Sequence, residues 1–173
     1  MGMKRAVFLD RDGVLTEAVL RDGKPYASQV VFPEAAGALA PLRAAGFTLV
    51  VVTNQPDVAR GTLRREDVDA FHVELRAQLS LDAVYACFHD DADHCACRKP
   101  KPGMLLDAAR DLDIDLAQSF MVGDRWRDVD AGAAAGCRTI FVDREYAERR
   151  PTTFDARVTS ITQAATWILE VSR

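Results

Sequence analysis

The residues with the clearest chemical potential are two pairs of aspartates. Asp10 and Asp12 lie near the start of the chain, and Asp124 and Asp128 lie in its last third. Carboxylates that share one site repel one another, and without a cation some of them stay protonated. Mg²⁺ prefers oxygen ligands and takes one or two carboxylates together with substrate phosphate. The pattern therefore predicts a Mg²⁺ site, provided that the fold brings the two pairs together.

Three residues between these pairs could bind an anion. Thr53 and Asn54 are neutral hydrogen-bond donors, and Lys99 carries a point charge suited to phosphate. A carboxylate nucleophile, a divalent cation and a lysine directed at one anion are the components of phosphoryl transfer through an aspartyl-phosphate. We therefore expect an enzyme that acts on a phosphorylated substrate.

A second candidate metal site lies ahead of Lys99 in the chain. Its four expected ligands are Cys87, His89, Cys95 and Cys97. Four such ligands make a closed tetrahedral set, which is typical of structural Zn²⁺. His94 could take the place of His89, and the alternative to a metal site is three incidental cysteines. Because a closed set leaves no open coordination position, we expect no direct chemistry from it.

Repeated βα units must position these side chains, since short apolar runs alternate with longer amphipathic ones. We predict strands at residues 6–10, 47–53, 83–88, 119–123 and 138–142. We predict helices at residues 34–45, 64–79, 103–112, 129–135 and 161–171. Pro41 lies within the first helix and should kink or shorten it. Residues 143–155 are polar and predict an irregular segment.

This alternation predicts an α/β fold with a Rossmann-like, doubly wound parallel sheet, in a single domain over residues 1–173. Such sheets bind ligands at the carboxyl ends of their strands, where the strand order reverses. The residues found at or after predicted strand ends are Asp10, Thr53, Lys99 and Asp124. Residues 14–33 leave room for a small flap beside the site, but not for a large cap domain.

The same side chains lie in four ordered motifs. They are FLDRDGV at 8–14, VTNQ at 52–55, RKPKP at 98–102 and GDRWRD at 123–128. Together they resemble the motifs of the haloacid dehalogenase superfamily, which begin with D-x-D-G and end with G-D-x-x-x-D. The TNQ sequence, ARG at 59–61, and a Cys/His cluster that runs into CRKPKPGM are similar to D-glycero-D-manno-heptose 1,7-bisphosphate 7-phosphatases. The related histidinol-phosphatases share TNQ and the zinc loop, and the alternative is a histidinol-phosphatase or another small sugar-phosphate phosphatase.

The resemblance implies a role for each residue of the catalytic set. Asp10 would be the nucleophile, and Asp12 would protonate the leaving oxygen and then deprotonate water. Asp10 and Asp124 would bind Mg²⁺ by side chains and Asp12 by its backbone carbonyl, while Asp128 would orient the metal's surroundings. The residues expected to hold the phosphoryl oxygens are Thr53, Asn54 and Lys99.

Substrate contacts outside the phosphoryl group are expected from Gln55, Arg60 and Arg98. Arg98 lies between the zinc ligand Cys97 and Lys99, so it is placed to meet a second phosphate. The chain departs from the family's usual pattern at Phe88, where proline is common, and at residues 56–58, where QPDVARG replaces QSGIARG. We interpret Arg125, Arg127 and the acidic run 90–93 as surface groups.

Composition and charge limit the partners. The chain has 173 residues and a net charge of −4, which argues against a general nucleic-acid binder. The longest apolar stretch, residues 47–52, is too short to span a membrane, and the run 6–9 is too short for a signal peptide. We therefore expect a cytoplasmic monomer whose partner is a small phosphorylated sugar. A zinc-stabilised binding module without catalysis is the alternative of a different class, but the intact aspartates and Lys99 argue against it.

Overall fold

The computed structural model describes residues 2–173. Its strands are β1 (Ala6–Leu9), β2 (Val19–Arg21), β3 (Lys24–Tyr26), β4 (Thr48–Asn54), β5 (Ala83–Cys87), β6 (Phe120–Gly123), β7 (Arg138–Val142) and β8 (Ala156–Val158). Its α-helices are α1 (Ala35–Ala44), α2 (Arg65–Leu79), α3 (Gly103–Leu112), α4 (Trp126–Ala135) and α5 (Ile161–Val171). All predicted strands and helices are present, and their bounds agree within one residue except at the start of α4.

Six strands form one parallel sheet in the order β5-β4-β1-β6-β7-β8. The chain runs outward from β1 to β4 and β5, then returns to the other side of β1 for β6 and β7. The strand order therefore reverses at β1, between β4 and β6. This arrangement confirms the predicted doubly wound α/β fold and marks the edge at which ligands bind.

Apolar layers cover both faces of this sheet. Side chains alternate along a strand, so Val7 and Leu9 of β1 pack into one layer while Ala6 and Phe8 pack into the other. Helices α1, α2 and α5 cover the first face, and α3 and α4 cover the second. All four residues of β1 are fully buried, as expected of a central parallel strand.

The sheet and helices depart from the sequence predictions in three places. Strand β8 was not predicted, because it has only three residues and of these only Val158 is buried. Helix α4 begins three residues early, since the Asp128 side chain accepts the Arg125 N–H at 3.0 Å and caps its first turn. Pro41 lies inside α1 and does not end it, so of the expected kink or shortening, the helix shows no marked shortening.

The predicted flap is an antiparallel hairpin of β2 and β3 beside the carboxyl end of β1. Asp22 and Gly23 form its turn, both with positive φ, at 52° and 73°. An Asp-Gly pair is typical of such two-residue hairpin turns. Within residues 2–173 no helix has the length and apolar character needed to cross a bilayer.

Candidate active site

Three aspartates converge at the point where the strand order reverses. Carboxylate oxygens of Asp10, Asp124 and Asp128 all lie within 4.8 Å of one another, and all three residues are buried. The pairing of β1 with β6 brings Asp10 beside Asp124, and the first turn of α4 supplies Asp128. A side chain at Gly123 would overlap Asp128, so glycine is required for this close approach. The predicted meeting of the two halves of the site is thus present.

Lys99 supplies a buried positive charge at the centre of this cluster. Its Nζ donates to Asp10 Oδ1 at 2.8 Å and to the Val52 carbonyl at 2.8 Å, and lies 2.7 Å from Asp128 Oδ1. Burial alone would lower the pKa of Lys99, but the charges of Asp10 and Asp128 outweigh it and raise that pKa. Lys99 is therefore protonated at neutral pH.

One lysine does not balance three buried carboxylates. Burial and the charge of Asp128 raise the pKa of Asp10 to about 6, against the opposing effect of Lys99. Burial and the charges of Asp10 and Asp128 raise the pKa of Asp124 well above its usual range. Asp124 Oδ1 is buried and has no hydrogen-bond partner among residues 2–173. Excess negative charge and an unpartnered ligand atom fit a divalent cation with oxygen ligands.

The Asp12 side chain lies at the edge of the same cluster and is held from several sides. Its Oδ1 accepts from the Arg11 guanidinium at 3.0 Å and from the Ser28 N–H at 3.0 Å, and its Oδ2 accepts from Gln55 at 3.0 Å. Arg11 in turn donates to His72 Nε2 at 3.0 Å. Burial and the charge of Arg11 lower the pKa of His72 to about 4, so this imidazole is a neutral acceptor.

Gln55 and Asn54 line the pocket, as their expected substrate roles require, and also bond to neighbouring protein groups. The Gln55 amide, expected to contact substrate, is buried and donates to Asp12 Oδ2 and to Thr53 Oγ1, each at 3.0 Å. The Asn54 side chain makes two hydrogen bonds with the Lys99 main chain. Its Nδ2 donates to the Lys99 carbonyl at 3.1 Å, and its Oδ1 accepts from the Lys99 N–H at 3.0 Å. These side chains therefore position Asp12 and the Lys99 loop. Thr53 accepts from Gln55, which leaves its O–H able to donate to a phosphoryl oxygen.

An open pocket of about 260 Å³ leads from the aspartates to the surface. The flap forms one wall through Lys24 and Tyr26, as expected for a small flap beside the site. The other basic groups that line the pocket are Arg60, Arg98, Lys99, Arg125 and Arg127. Asp57 and Asp91 also line the pocket, so its walls present guanidinium donors next to carboxylates.

Comparison with known proteins assigns the family. A profile of the HAD-hydrolase-like family matches residues 96–164. A relative from Bordetella bronchiseptica, named D-glycero-beta-D-manno-heptose-1,7-bisphosphate 7-phosphatase, is 39% identical over 138 residues, or 77% of each chain. The chain belongs to the HAD-like hydrolases. A second relative of this HAD-like chain, from Mycobacterium tuberculosis, is named the 7-phosphatase of the alpha anomer and is 38% identical over 151 residues, or 80% of each chain.

A solved structure agrees along almost the whole chain. The crystal structure of D,D-heptose 1,7-bisphosphate phosphatase from B. bronchiseptica, complexed with magnesium and phosphate, has a TM-score of 0.82 and 33% identity to this HAD-like chain. The match covers 96% of this chain and 99% of that one. The fold predicted from the four motifs is therefore confirmed.

The HAD-like core carries the predicted Cys/His cluster in a loop after β5. The Sγ and Nδ1 atoms of Cys87, His89, Cys95 and Cys97 all lie within 4.8 Å of one another. Cys87 Sγ is 3.6 Å from His89 Nδ1, and His89 Nδ1 is 3.3 Å from Cys97 Sγ. His94 is not in this group, so His89 is the fourth member, and none of the cysteines forms a disulfide.

Acidic residues in this loop pair with arginines that line the pocket, although Asp91 is exposed, as predicted for the acidic run 90–93. Arg60 donates to both oxygens of Asp90, at 2.6 and 2.9 Å. Arg98 Nε donates to Asp91 Oδ1 at 2.8 Å, and Arg127 donates to both Asp91 oxygens at 3.2 Å. Arg98 and Asp91 lie in the same loop, but Arg60–Asp90 and Arg127–Asp91 join residues 30 and 36 positions apart, so no local sequence pattern predicts those two pairs.

The segment after β7 adds contacts that the sequence analysis missed. Tyr146 donates its O–H to Asp124 Oδ2 at 2.6 Å, and Glu148 accepts from the Arg125 guanidinium at 2.6 Å. Burial and the charge of Asp124 raise the pKa of Tyr146, so its hydroxyl stays a donor. The polar composition of residues 143–155 was the only signal, and it predicted irregular structure without a role.

Proposed function

We propose that this chain is a Mg²⁺-dependent phosphatase that removes the 7-phosphate of D-glycero-D-manno-heptose 1,7-bisphosphate through an aspartyl-phosphate. The observation that carries the proposal is the buried set of Asp10, Asp124, Asp128 and Lys99 at the point of strand reversal. The names of relatives that are 38–39% identical to the chain over 138 and 151 aligned residues support the substrate.

The first half-reaction follows from the placement of Asp10 and Asp12. Lys99 bonds Asp10 Oδ1, which leaves the other oxygen of Asp10 to attack phosphorus. As the new O–P bond forms, the bond from phosphorus to the sugar oxygen breaks, and Asp12 donates a proton to that oxygen. Bound Mg²⁺, held by Asp10, Asp124 and the Asp12 carbonyl, supplies charge neutralisation for the phosphoryl oxygens.

The second half-reaction reverses the role of Asp12. Its carboxylate, now deprotonated, takes a proton from water, and the resulting hydroxide attacks the aspartyl-phosphate. Inorganic phosphate leaves and Asp10 is restored. Lys99 and the hydroxyl of Thr53 stabilise the phosphoryl oxygens in both steps. Arg11 and Gln55 keep the Asp12 side chain beside the reacting atoms throughout.

We further propose that Cys87, His89, Cys95 and Cys97 hold a structural Zn²⁺. Their sulfur and nitrogen atoms lie within 4.8 Å of one another, close enough to share one ion, and a zinc ion would fix the loop that carries Asp90, Asp91 and Arg98. Zinc content of the purified protein, measured by mass spectrometry, should be one ion per chain, and the double variant C95S/C97S should contain none. A cytoplasmic location and a monomeric state remain predictions from the sequence.

The deciding experiment measures phosphate release from a panel of substrates. It compares both anomers of the heptose bisphosphate with histidinol phosphate, in buffer with Mg²⁺ and in Mg²⁺-free buffer without a chelator that would remove zinc, and ³¹P NMR identifies which phosphate is lost. We expect loss of the 7-phosphate only, and only with Mg²⁺. Asp10→Asn is the matched control, because an amide cannot form the acyl-phosphate, and it should show no turnover.

Two results would contradict the proposal. A more than tenfold preference for histidinol phosphate would make the chain a histidinol-phosphatase. The absence of any Mg²⁺-dependent phosphatase activity in folded protein would favour the zinc-stabilised binding module instead.

A further inference from the structure

The segment after β7 folds back over the metal-binding end of the sheet. Glu145 has φ of 57°, and the turn that it forms directs Tyr146 towards Asp124. The Tyr146 hydroxyl lies 2.6 Å from Asp124 Oδ2. Asp124 Oδ1, by contrast, is one of two buried side-chain polar atoms within residues 2–173 that have no partner. The tyrosine thus holds one oxygen of the carboxylate and leaves the other available.

Separate contacts anchor this segment and do not use the Tyr146 hydroxyl. Arg144 Nε donates to the Gly13 carbonyl at 2.9 Å, and the Ala147 N–H donates to the Gly23 carbonyl of the flap turn at 3.1 Å. Glu148 pairs with Arg125, one residue beyond Asp124. The hydroxyl is therefore delivered to Asp124 by a segment that is fixed on both sides.

The first motif leaves space for this contact. A Cβ at Gly13 would overlap the Asp124 carboxylate and lie 2.6 Å from Tyr146 Oη. Gly13 also has φ of 86°, a conformation that favours glycine. The glycine of D-x-D-G thus allows Asp124 and Tyr146 to meet directly beneath the nucleophile loop.

We infer that Tyr146 is a positioning residue that fixes the orientation of the Asp124 carboxylate for Mg²⁺ binding. This inference rests on the proposed Mg²⁺-dependent function. The terminal torsion of an aspartate is broad, so without the hydroxyl the carboxylate rotates more freely and must be ordered when the cation binds. Residues that hydrogen-bond a metal ligand typically change metal affinity by about 10- to 100-fold when they are replaced.

The test compares Tyr146→Phe with Tyr85→Phe. The control removes the same kind of bond, because the Tyr85 hydroxyl donates to Asp111 at 3.0 Å on the outside of the fold. Direct titration with MgCl₂ by calorimetry should give a Kd at least tenfold weaker for Tyr146→Phe and unchanged for Tyr85→Phe. In steady-state assays the Mg²⁺ concentration for half-maximal rate should rise for Tyr146→Phe, while kcat at saturating Mg²⁺ stays within about threefold of wild type.

The outcomes separate this inference from the proposed function. If wild-type protein binds Mg²⁺ and hydrolyses substrate, and Tyr146→Phe has the same Mg²⁺ Kd, the inference is wrong and the proposed function stands. If wild-type protein neither binds Mg²⁺ nor hydrolyses phosphate esters, both are wrong. Thermal unfolding in EDTA checks that the variant is folded. If Tyr146→Phe is not folded, the test uses Tyr146→His, which keeps a ring donor, and Tyr146→Leu, which does not. The Mg²⁺ Kd of Tyr146→His must then be nearer to wild type than that of Tyr146→Leu. Equal Kd values for these two variants would overturn the inference.

Discussion

Lys99 and Asp128 form a buried ion pair, with Nζ 2.7 Å from Oδ1, and the same ammonium donates to Asp10 at 2.8 Å. The lysine thus joins the expected nucleophile to the aspartate of the last motif. Asp128 was expected to orient the metal's surroundings, and its pairing with Lys99 gives it a second effect. Because Asp128 pairs with the ammonium, it holds in place the positive charge that would face the transferring phosphoryl group in the proposed reaction.

Replacing Lys99 by methionine should reduce both stability and activity. Removing one member of a buried ion pair leaves an uncompensated charge, and the cost is about 3 kcal/mol. We expect the free energy of unfolding at pH 7.5 to fall by about that amount, and turnover to fall below detection. Urea denaturation in EDTA measures the first effect and phosphate release the second. Lys101→Met is the control, since Lys101 is exposed and its change should stay within about 0.5 kcal/mol. Unchanged stability in Lys99→Met would contradict a buried charge network.

The raised pKa of Asp10 predicts a pH-dependent difference between wild type and Asp10→Asn. The pKa of Asp10 is about 6 in the fold, against 3.8 for an unperturbed aspartate. The folded chain therefore binds this proton more tightly than the unfolded chain does. Ionised Asp10 lowers the free energy of unfolding above pH 6, and this loss shrinks as pH falls towards 4. In EDTA, Asp10→Asn should be more stable than wild type by about 2 kcal/mol at pH 7.5, and by roughly half as much at pH 5.

The test uses the difference in free energy of unfolding between Asp10→Asn and wild type, because His72 makes both proteins less stable as pH falls. Its pKa of about 4 lies below the unfolded value of 6.5, so its contribution to stability is lost as pH falls through this range. His72 is common to both proteins and cancels. Urea denaturation at the two pH values gives the four free energies. An equal advantage of Asp10→Asn at both would show that Asp10 does not titrate as expected.

Asp12→Ala should slow both half-reactions. Proton transfer by a positioned side chain typically contributes about 10²- to 10⁴-fold to rate, and Asp12 is expected to act once as acid and once as base. Rapid-quench measurement of the aspartyl-phosphate separates its formation from its hydrolysis. If only formation were slowed, another group must activate the water. The fold should persist at reduced stability, because the buried Arg11 side chain loses its carboxylate partner while keeping its bonds to His72 and the Ser28 carbonyl.

The sequence was sufficient to predict the parallel sheet and the meeting of its motifs. Asp10 and Asp124 end adjacent strands, and the Cys/His spacing identified the four residues that group around a metal-sized space. These features follow from periodicity and from short motifs.

What the sequence could not predict depends on how separate loops cross. The contact between Tyr146 and Asp124 joins residues 22 positions apart through an irregular segment. Asp91 accepts a hydrogen bond from Arg127, which lies 36 positions further along the chain. The acidic run that contains Asp91 was predicted only to be a solvated loop. Gln55 and Asn54 have side chains that could equally bind substrate or protein, and only the neighbouring positions of Asp12 and Lys99 decide which.

Arg98→Ala tests recognition of the second phosphate. The Arg98 side chain is 11% exposed, lines the pocket and shares Asp91 with Arg127, so two guanidinium groups lie together about one carboxylate. A phosphate at the far end of the substrate would bind such a pair through charge-assisted hydrogen bonds. Loss of bonds to a charged group costs about 1.5–3 kcal/mol, so KM for the heptose bisphosphate should rise about 10- to 100-fold.

A small monophosphate such as p-nitrophenyl phosphate distinguishes this role from general electrostatics. It has no second phosphate, so its KM should change by less than about threefold in Arg98→Ala. Arg110→Ala, on the exposed face of α3, is the matched control and should leave both substrates unaffected. Removing zinc from wild-type protein should reproduce the selective loss if the chain stays folded, because the loop that holds Asp91 would then lose its anchor. Equal losses on both substrates would leave Arg98 as a general electrostatic contributor and refute its assignment to the second phosphate.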